Sequence, residues 1–326
     1  MDSTLRPMST GQVLDRTFHL YKGNFLLFAG ISALPPAVLL LAQVSMLLLA
    51  FIPGTSIVSF FPEAAFVLGL IAMVVVYLVA FSLATGATVY AVSRVHLGHA
   101  VKIGESYKVI RPLIWRILRI VISVAVRFSG ALLLTIIAGV APFSLLRTLG
   151  PRYLTPANST IVAWMVGLVV VVAVIVLFIW SIRLYCSYQL AVPVCVLEKL
   201  GAEACMKRSR FLSKGKGVQR ILLVLFLSVI LNYALILALS MPLFIFGILN
   251  VVKHTPSMAI PLAIWQYLSG FIAGTLAGPI LTIALALMYY DERVRKEAFD
   301  LQLMMEAIGQ AQPASMAAAA ASGVAG

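Results

Sequence analysis

The chain is 326 residues long, 62% apolar and only 11% charged, with a formal net charge of +13. Soluble domains carry roughly 25% charged residues, so this composition excludes a water-soluble globular domain. The apolar residues come in long runs, which excludes the short alternating segments of a transmembrane barrel.

A helix of about 20 apolar residues crosses a hydrocarbon core about 30 Å thick, and backbone amides in lipid must be satisfied within the segment. The pattern therefore predicts an all-α, polytopic membrane protein. It has about six transmembrane helices, in three repeats of an amphipathic interfacial helix plus a helical hairpin. Residues 1–310 form one membrane domain, with repeats near 9–97, 98–200 and 201–300.

The N-terminal stretch carries no cleavable signal pattern, so the first span is expected to be retained. Ser9-x-x-Gln12 reads as a capping box opening a helix. Leu14, Phe18, Tyr21 and Phe25 then share one face, while Asp15, Arg16, His19 and Lys22 favour others. The first span covers 25–51, with Pro35 and Pro36 inside it predicting a kink. The second covers 65–92. The third covers 113–142, with Trp115 at its start, and the fourth covers 161–192, with Trp164 at its start and Pro193 just past its end. The fifth and sixth cover 221–249 and 259–288. Pro279 lies within the sixth, and Tyr289 and Tyr290 close it. A further amphipathic helix is expected over 291–308, and a disordered Ala-rich tail over 311–326.

Of the 24 Lys and Arg residues, nineteen fall on alternate connections, whereas the opposite loops hold Arg147, Arg152 and Lys253. This bias places both termini and the basic loops in the cytoplasm of a cell membrane. The basic segments also resemble one another. Nine positions lead from Leu97 to Ser106 and from Leu200 to Ser209, each Leu being followed by Gly. Arg116-Ile117-Leu118 and Arg220-Ile221-Leu222 then open the next spans. Thr17, Leu20 and Lys22 give a fainter copy. Lys214-Gly215 reads as the turn between the third amphipathic helix and the fifth span.

Arg127 and Arg183 interrupt apolar runs. Arg127 lies eleven residues beyond Arg116, a depth of about 16 Å at 1.5 Å per residue. One reading places these arginines in a polar cavity with Asn232, Gln266 and Gln189, holding an anionic headgroup or substrate. The other has them snorkel to the interface. With Lys207, Arg208, Arg210 and Lys214 they form the candidate set for an anion or lipid headgroup. Gly270, Gly274 and Gly278 bare one face of the sixth span and predict close helix packing.

Catalytic groupings are lacking in the pattern. No Asp or Glu falls well inside a span, as a proton relay requires. His96 and His99 read as solvated interfacial side chains rather than a metal site. Cys186, Cys195 and Cys205 show no C-x-x-C spacing and read as free buried thiols. No phosphate-binding glycine motif occurs. The expectation is a protein that is not an enzyme, with no cofactor, no metal and no nucleic-acid partner.

VLDRTFHLYKGNF at 13–25 and YYDERVRKEAFDL at 289–301 resemble a bacterial group of uncharacterised integral membrane proteins. That group is described as like the membrane domain of glycerophosphoryl diester phosphodiesterase. The resemblance implies a membrane module without the hydrolase, and carries over no catalytic residue. The expected function is a non-catalytic module engaging anionic lipid, or a membrane or cytoplasmic protein partner, at the cytoplasmic face. The alternative is a small transporter or lipid-handling carrier.

Overall fold

The computed structural model describes residues 8–50, 63–153, 156–253 and 259–297. The tail beyond 310, and most of the helix expected over 291–308, lie outside them. Helices account for nearly all of the described residues, and no strand occurs among them. In chain order they are α1 (Thr10–Gly23), α2 (Phe25–Ser32), α3 (Leu34–Ala50), α4 (Glu63–His96) and α5 (Ile103–Ile110). A 3-10 turn (Arg111–Leu113) leads to α6 (Ile114–Tyr153). Then follow α7 (Pro156–Tyr188), α8 (Ala191–Glu198), α9 (Ala202–Ser213), α10 (Lys216–Lys253) and α11 (Ala259–Glu297).

Helices α4, α6, α7, α10 and α11 are each long and apolar enough to cross a membrane, and α2 with α3 makes a sixth crossing bent by 46°. The bend falls just before Pro35 and Pro36, where the expected kink lies. The chain is a multi-pass membrane protein.

Two boundaries differ from expectation. The third span continues through Pro142 to Tyr153, because in hydrocarbon neighbouring groups re-satisfy what a helical Pro frees. The fourth ends at Tyr188, and a turn at Gln189 and Leu190 starts α8, with Pro193 in its first turn. A first-turn Pro loses no helical hydrogen bond.

The core lies at the basic end, where the short helices converge. Val13, Phe28, Ile31, Ile110, Ile117, Leu190, Leu212, Ile221, Leu287 and Met288 are fully buried there. Helix α11 runs through the centre, with Ala273, Ala277, Ala284 and Ala286 buried along it, because small side chains let neighbouring helices approach closely. Towards the opposite end, side chains such as Leu168, Val169, Phe226 and Ile248 face outward. On a membrane helix such a face meets lipid.

The three amphipathic segments form α1, α5 and α9, and each leads into a hairpin of long helices. Their matched hydroxyls, Thr17, Ser106 and Ser209, are all fully buried. Thr17 donates to Val13 O at 2.7 Å, Ser106 to Lys102 O at 3.3 Å, and Ser209 to Ser187 O at 2.9 Å. A small side chain lets each short helix press onto the long ones. Its hydroxyl is satisfied by a carbonyl, so burial leaves no donor orphaned. Gly98 and Gly215 hold φ of +81° and +73° at the flanking turns, a region that favours glycine.

The Ser9 capping box is present: Ser9 N donates to Gln12 Oε1 at 2.8 Å and Gln12 N to Ser9 Oγ at 3.3 Å. The buried face of α1, however, is Val13 and Thr17, while Phe18 and Phe25 of the expected stripe are exposed. The stripe marks the outward edge of α1, because the inner face is claimed by α11.

Candidate anion-binding collar

Acidic side chains at the basic end serve the fold. Asp291 and Glu292 are nearly fully buried on the last turns of α11. Arg220, on the first turns of α10, lies 2.5 Å from Asp291 and 2.8 Å from Glu292. Arg295 reaches Asp291 at 2.9 Å and Lys296 reaches Glu292 at 3.4 Å. Met8 joins this cluster through its backbone. Its N–H donates to Asp291 at 2.6 Å, and its carbonyl accepts from Arg220 at 3.0 Å and Arg295 at 2.6 Å. The first described residue and the last helix therefore meet at one end. Farther along α11, Tyr21 ties the end of α1 to it by donating to Leu276 O at 2.9 Å.

A second cluster surrounds Glu198 at the end of α8. Arg208 Nε lies 2.6 Å from Glu198, and Arg208 Nη2 donates to Glu297 at 2.8 Å. Tyr289 donates to Glu198 at 2.7 Å, and Arg293 lies 3.2 Å from Glu297. Burial works against the Arg208 charge, and the two carboxylates more than offset it, so its pKa is held above the ordinary arginine value. Arg208 was expected among the headgroup residues. Two carboxylates already neutralise it, because it lies on the flank of α9 that turns to α8 and α11. Lys296 extends this side by donating to the carbonyls of Leu212 and, at 3.0 Å, Lys214, a cation on a helix C-terminus.

The remaining candidates point elsewhere. On α9 the buried positions are Ala202, Cys205, Met206, Ser209, Leu212 and Ser213, spaced three and four apart. Lys207, Arg210 and Lys214 fall together on the exposed face, again three and four apart. No carboxylate among the described residues lies within ion-pair distance of them, nor of Arg127 or Arg183.

Arg127 settles between the two readings of its depth. Its guanidinium donates to Met206 Sδ on α9 at 3.0 Å and lies 5.4 Å from the centroid of Tyr188. On α6 a side chain leans towards the helix N-terminus, which here is the basic end, so Arg127 snorkels to the collar. Arg210 lies 5.4 Å from the same ring. The two guanidinium carbons are therefore at most about 11 Å apart. At an effective dielectric near 20 two like charges at that spacing repel by about 1.5 kcal/mol, before salt screening. An anion between them would relieve it. Neither Arg127 nor Arg183 lines the cavities that take in the other candidates. Asn232 and Gln189 line two separate ones, and Gln266 is exposed.

The glycine row is mixed. A methyl at Gly274 would come within 3.1 Å of Pro36, and one at Gly278 within 3.7 Å of Ser32, whereas Gly270 has nothing within 4 Å. Tighter approaches lie on other helices: a methyl at Gly30 would come within 2.6 Å of Ile103, and one at Gly86 within 2.8 Å of Ile117 and 2.9 Å of Ile110. A lone Gly in an apolar run gave no periodic signal. His96 also departs from expectation: its ring stacks on Tyr290 at 5.6 Å and Nδ1 is buried, so it is no solvated side chain. The three cysteines are free and buried as expected.

The chain matches no family model, no curated protein and no solved structure.

Proposed function

We propose that this protein is a non-catalytic membrane module whose basic end faces the cytoplasm and binds the headgroups of anionic phospholipids. The observation that carries this reading is the Lys207, Arg210 and Lys214 stripe, in which Arg210 shares the Tyr188 ring with Arg127 and which lacks carboxylate partners among the described residues. Glu198, Asp291, Glu292 and Glu297 are committed to internal cations, so the stripe keeps its charge for an outside anion. Its position beside the basic ends of the apolar helices supports a role at headgroup level. The Lys and Arg bias supports the cytoplasmic side, and the family resemblance fits a module lacking a hydrolase.

Each Lys or Arg near an anionic surface contributes about 1 kcal/mol. Replacing Lys207, Arg210, Lys214 and Arg127 together by Gln is expected to reduce retention of phosphatidylglycerol at least tenfold in native mass spectrometry. Retention of phosphatidylcholine and membrane insertion stay as in the parent chain. Unchanged phosphatidylglycerol retention refutes the reading. Arg208→Gln serves as contrast and should cost stability rather than lipid.

A further inference from the structure

The geometry points to a second binding site: a cavity at hydrocarbon depth that accepts the uncharged ester and hydroxyl end of a neutral glycerolipid. Its lining shares no residue with the collar.

The cavity has a volume of about 260 Å³ and lies between α2, α3, α4, α10 and α11. Gly270, Gly274 and Gly278 line it on the α11 side, and Pro35 and Pro36 line it on the α3 side. Thr282 is nine residues before Asp291 and Gly274 seventeen, so the cavity lies about 14 to 26 Å beyond the buried ion pairs. The glycine row thus does two things. Gly274 and Gly278 let α2 and α3 close in, and Gly270 leaves space.

Tyr77, Asn232 and Thr282 also line the cavity, and none has a hydrogen-bond partner among the described residues. They supply two hydroxyl donors and an amide. Ser32, Thr85 and Thr88 donate to carbonyls of their own helices, at 2.8, 2.7 and 2.8 Å, which leaves their oxygens as acceptors. In hydrocarbon, polar groups without partners are costly, so this set calls for an occupant with both acceptors and a donor. No charged residue lines the space, and burying a phosphate without a cation is strongly unfavourable. That excludes the anionic lipids assigned to the collar. A diacylglycerol offers two ester carbonyls and one hydroxyl, and carries no charge.

A second cavity of about 250 Å³, mostly apolar, shares Phe81, Thr85 and Thr282 with the first and extends towards Tyr188 and Pro193. Together they reach the roughly 300–1,000 Å³ usual for small-molecule sites.

The test uses the full chain in phosphatidylcholine vesicles with a diazirine-bearing diacylglycerol, mapping crosslinks by mass spectrometry. Crosslinks are expected around Phe81 and Gly274, competed by unlabelled diacylglycerol and not by phosphatidylglycerol. Gly270→Leu fills the space without an initial clash, and Asn232→Leu removes the amide. Each should lower capture at least fivefold, at an unfolding midpoint close to that of the parent chain. The collar substitutions should leave capture unchanged, which separates this site from the lipid role proposed above. Absence of crosslinks inside, capture spread over the outer face of α7 alone, equal competition by phosphatidylglycerol, or full capture by both variants would each overturn the assignment.

Discussion

Replacing Arg220 by Met tests how the basic end is held. The Arg220 side chain is 14% exposed, and Asp291 and Glu292 are 0% and 3% exposed. Breaking a buried pair from one side costs about 3–5 kcal/mol, because a carboxylate is left without compensation. Here the loss is softened. Asp291 keeps Arg295 at 2.9 Å and the Met8 N–H at 2.6 Å, and Glu292 keeps Lys296 at 3.4 Å. The expected cost is therefore about 2–3 kcal/mol. Arg220 also donates to Met8 O and to Thr10 Oγ1, so α1 should loosen with it. In matched detergent, the apparent unfolding midpoint should fall by roughly 5 °C or more, and a protease should cut near Arg6 faster than in the parent chain. Adding Glu292→Gln removes one stranded charge and should recover about 1 kcal/mol, as a coupling in a double-mutant cycle. A midpoint within 1 °C of the parent chain, with unchanged cutting, would refute the claim that this cluster anchors α1.

Three further substitutions probe helix contacts. Gly86→Val drives carbon into Ile110 and Ile117, both fully buried, and should destabilise by about 1–3 kcal/mol; Gly270→Ala, with open space around it, should be neutral or mildly stabilising in the same melts. Trp265→Phe removes the bond from Nε1 to Leu239 O at 2.9 Å across the α10–α11 hairpin, and should cost about 0.6–1 kcal/mol, read as a small fall in midpoint.

What was legible in the sequence was local. A capping box, a turn glycine and a hydroxyl repeated at Thr17, Ser106 and Ser209 each follow from neighbours within a turn or two, and each is found in the structure. The identity of the partner for each cation was not local. Arg208 and Arg210 are two residues apart, and only the position of α8 and α11 decides that one meets Glu198 and Glu297 while the other meets Tyr188. The signal for separating them was present, since the Cys205, Ser209, Leu212 spacing fixes the inner face of α9. Asp291 and Glu292 give no such signal: in sequence they are two acids beside three bases, and their burial is set by Arg220, 71 residues earlier. The cavity was half legible. Asn232 stood out as a polar residue in an apolar run, but its companions Tyr77 and Thr282 come from α4 and α11, and only packing brings the three together.

The same packing supplies a ruler for depth. Arg127 and Arg147 lie on one unbroken helix, α6, twenty residues apart, or about 30 Å at 1.5 Å per residue. That equals the hydrocarbon thickness. Arg127 already reaches back to Met206, so the slab should begin near Phe128 and end near Leu146. Single Cys residues placed along α6 in a chain whose native cysteines are replaced test this directly. Ile136→Cys and Val140→Cys, at outward positions, should resist a charged maleimide in intact cells. Trp115→Cys, 75% exposed at the basic end, should react only once the cytoplasmic side is opened. A site near Thr155 should react from outside. If Trp115→Cys and the Thr155 site react from one and the same compartment, α6 does not cross. The collar would then have no fixed side, and the lipid role drawn from it would fail with the topology.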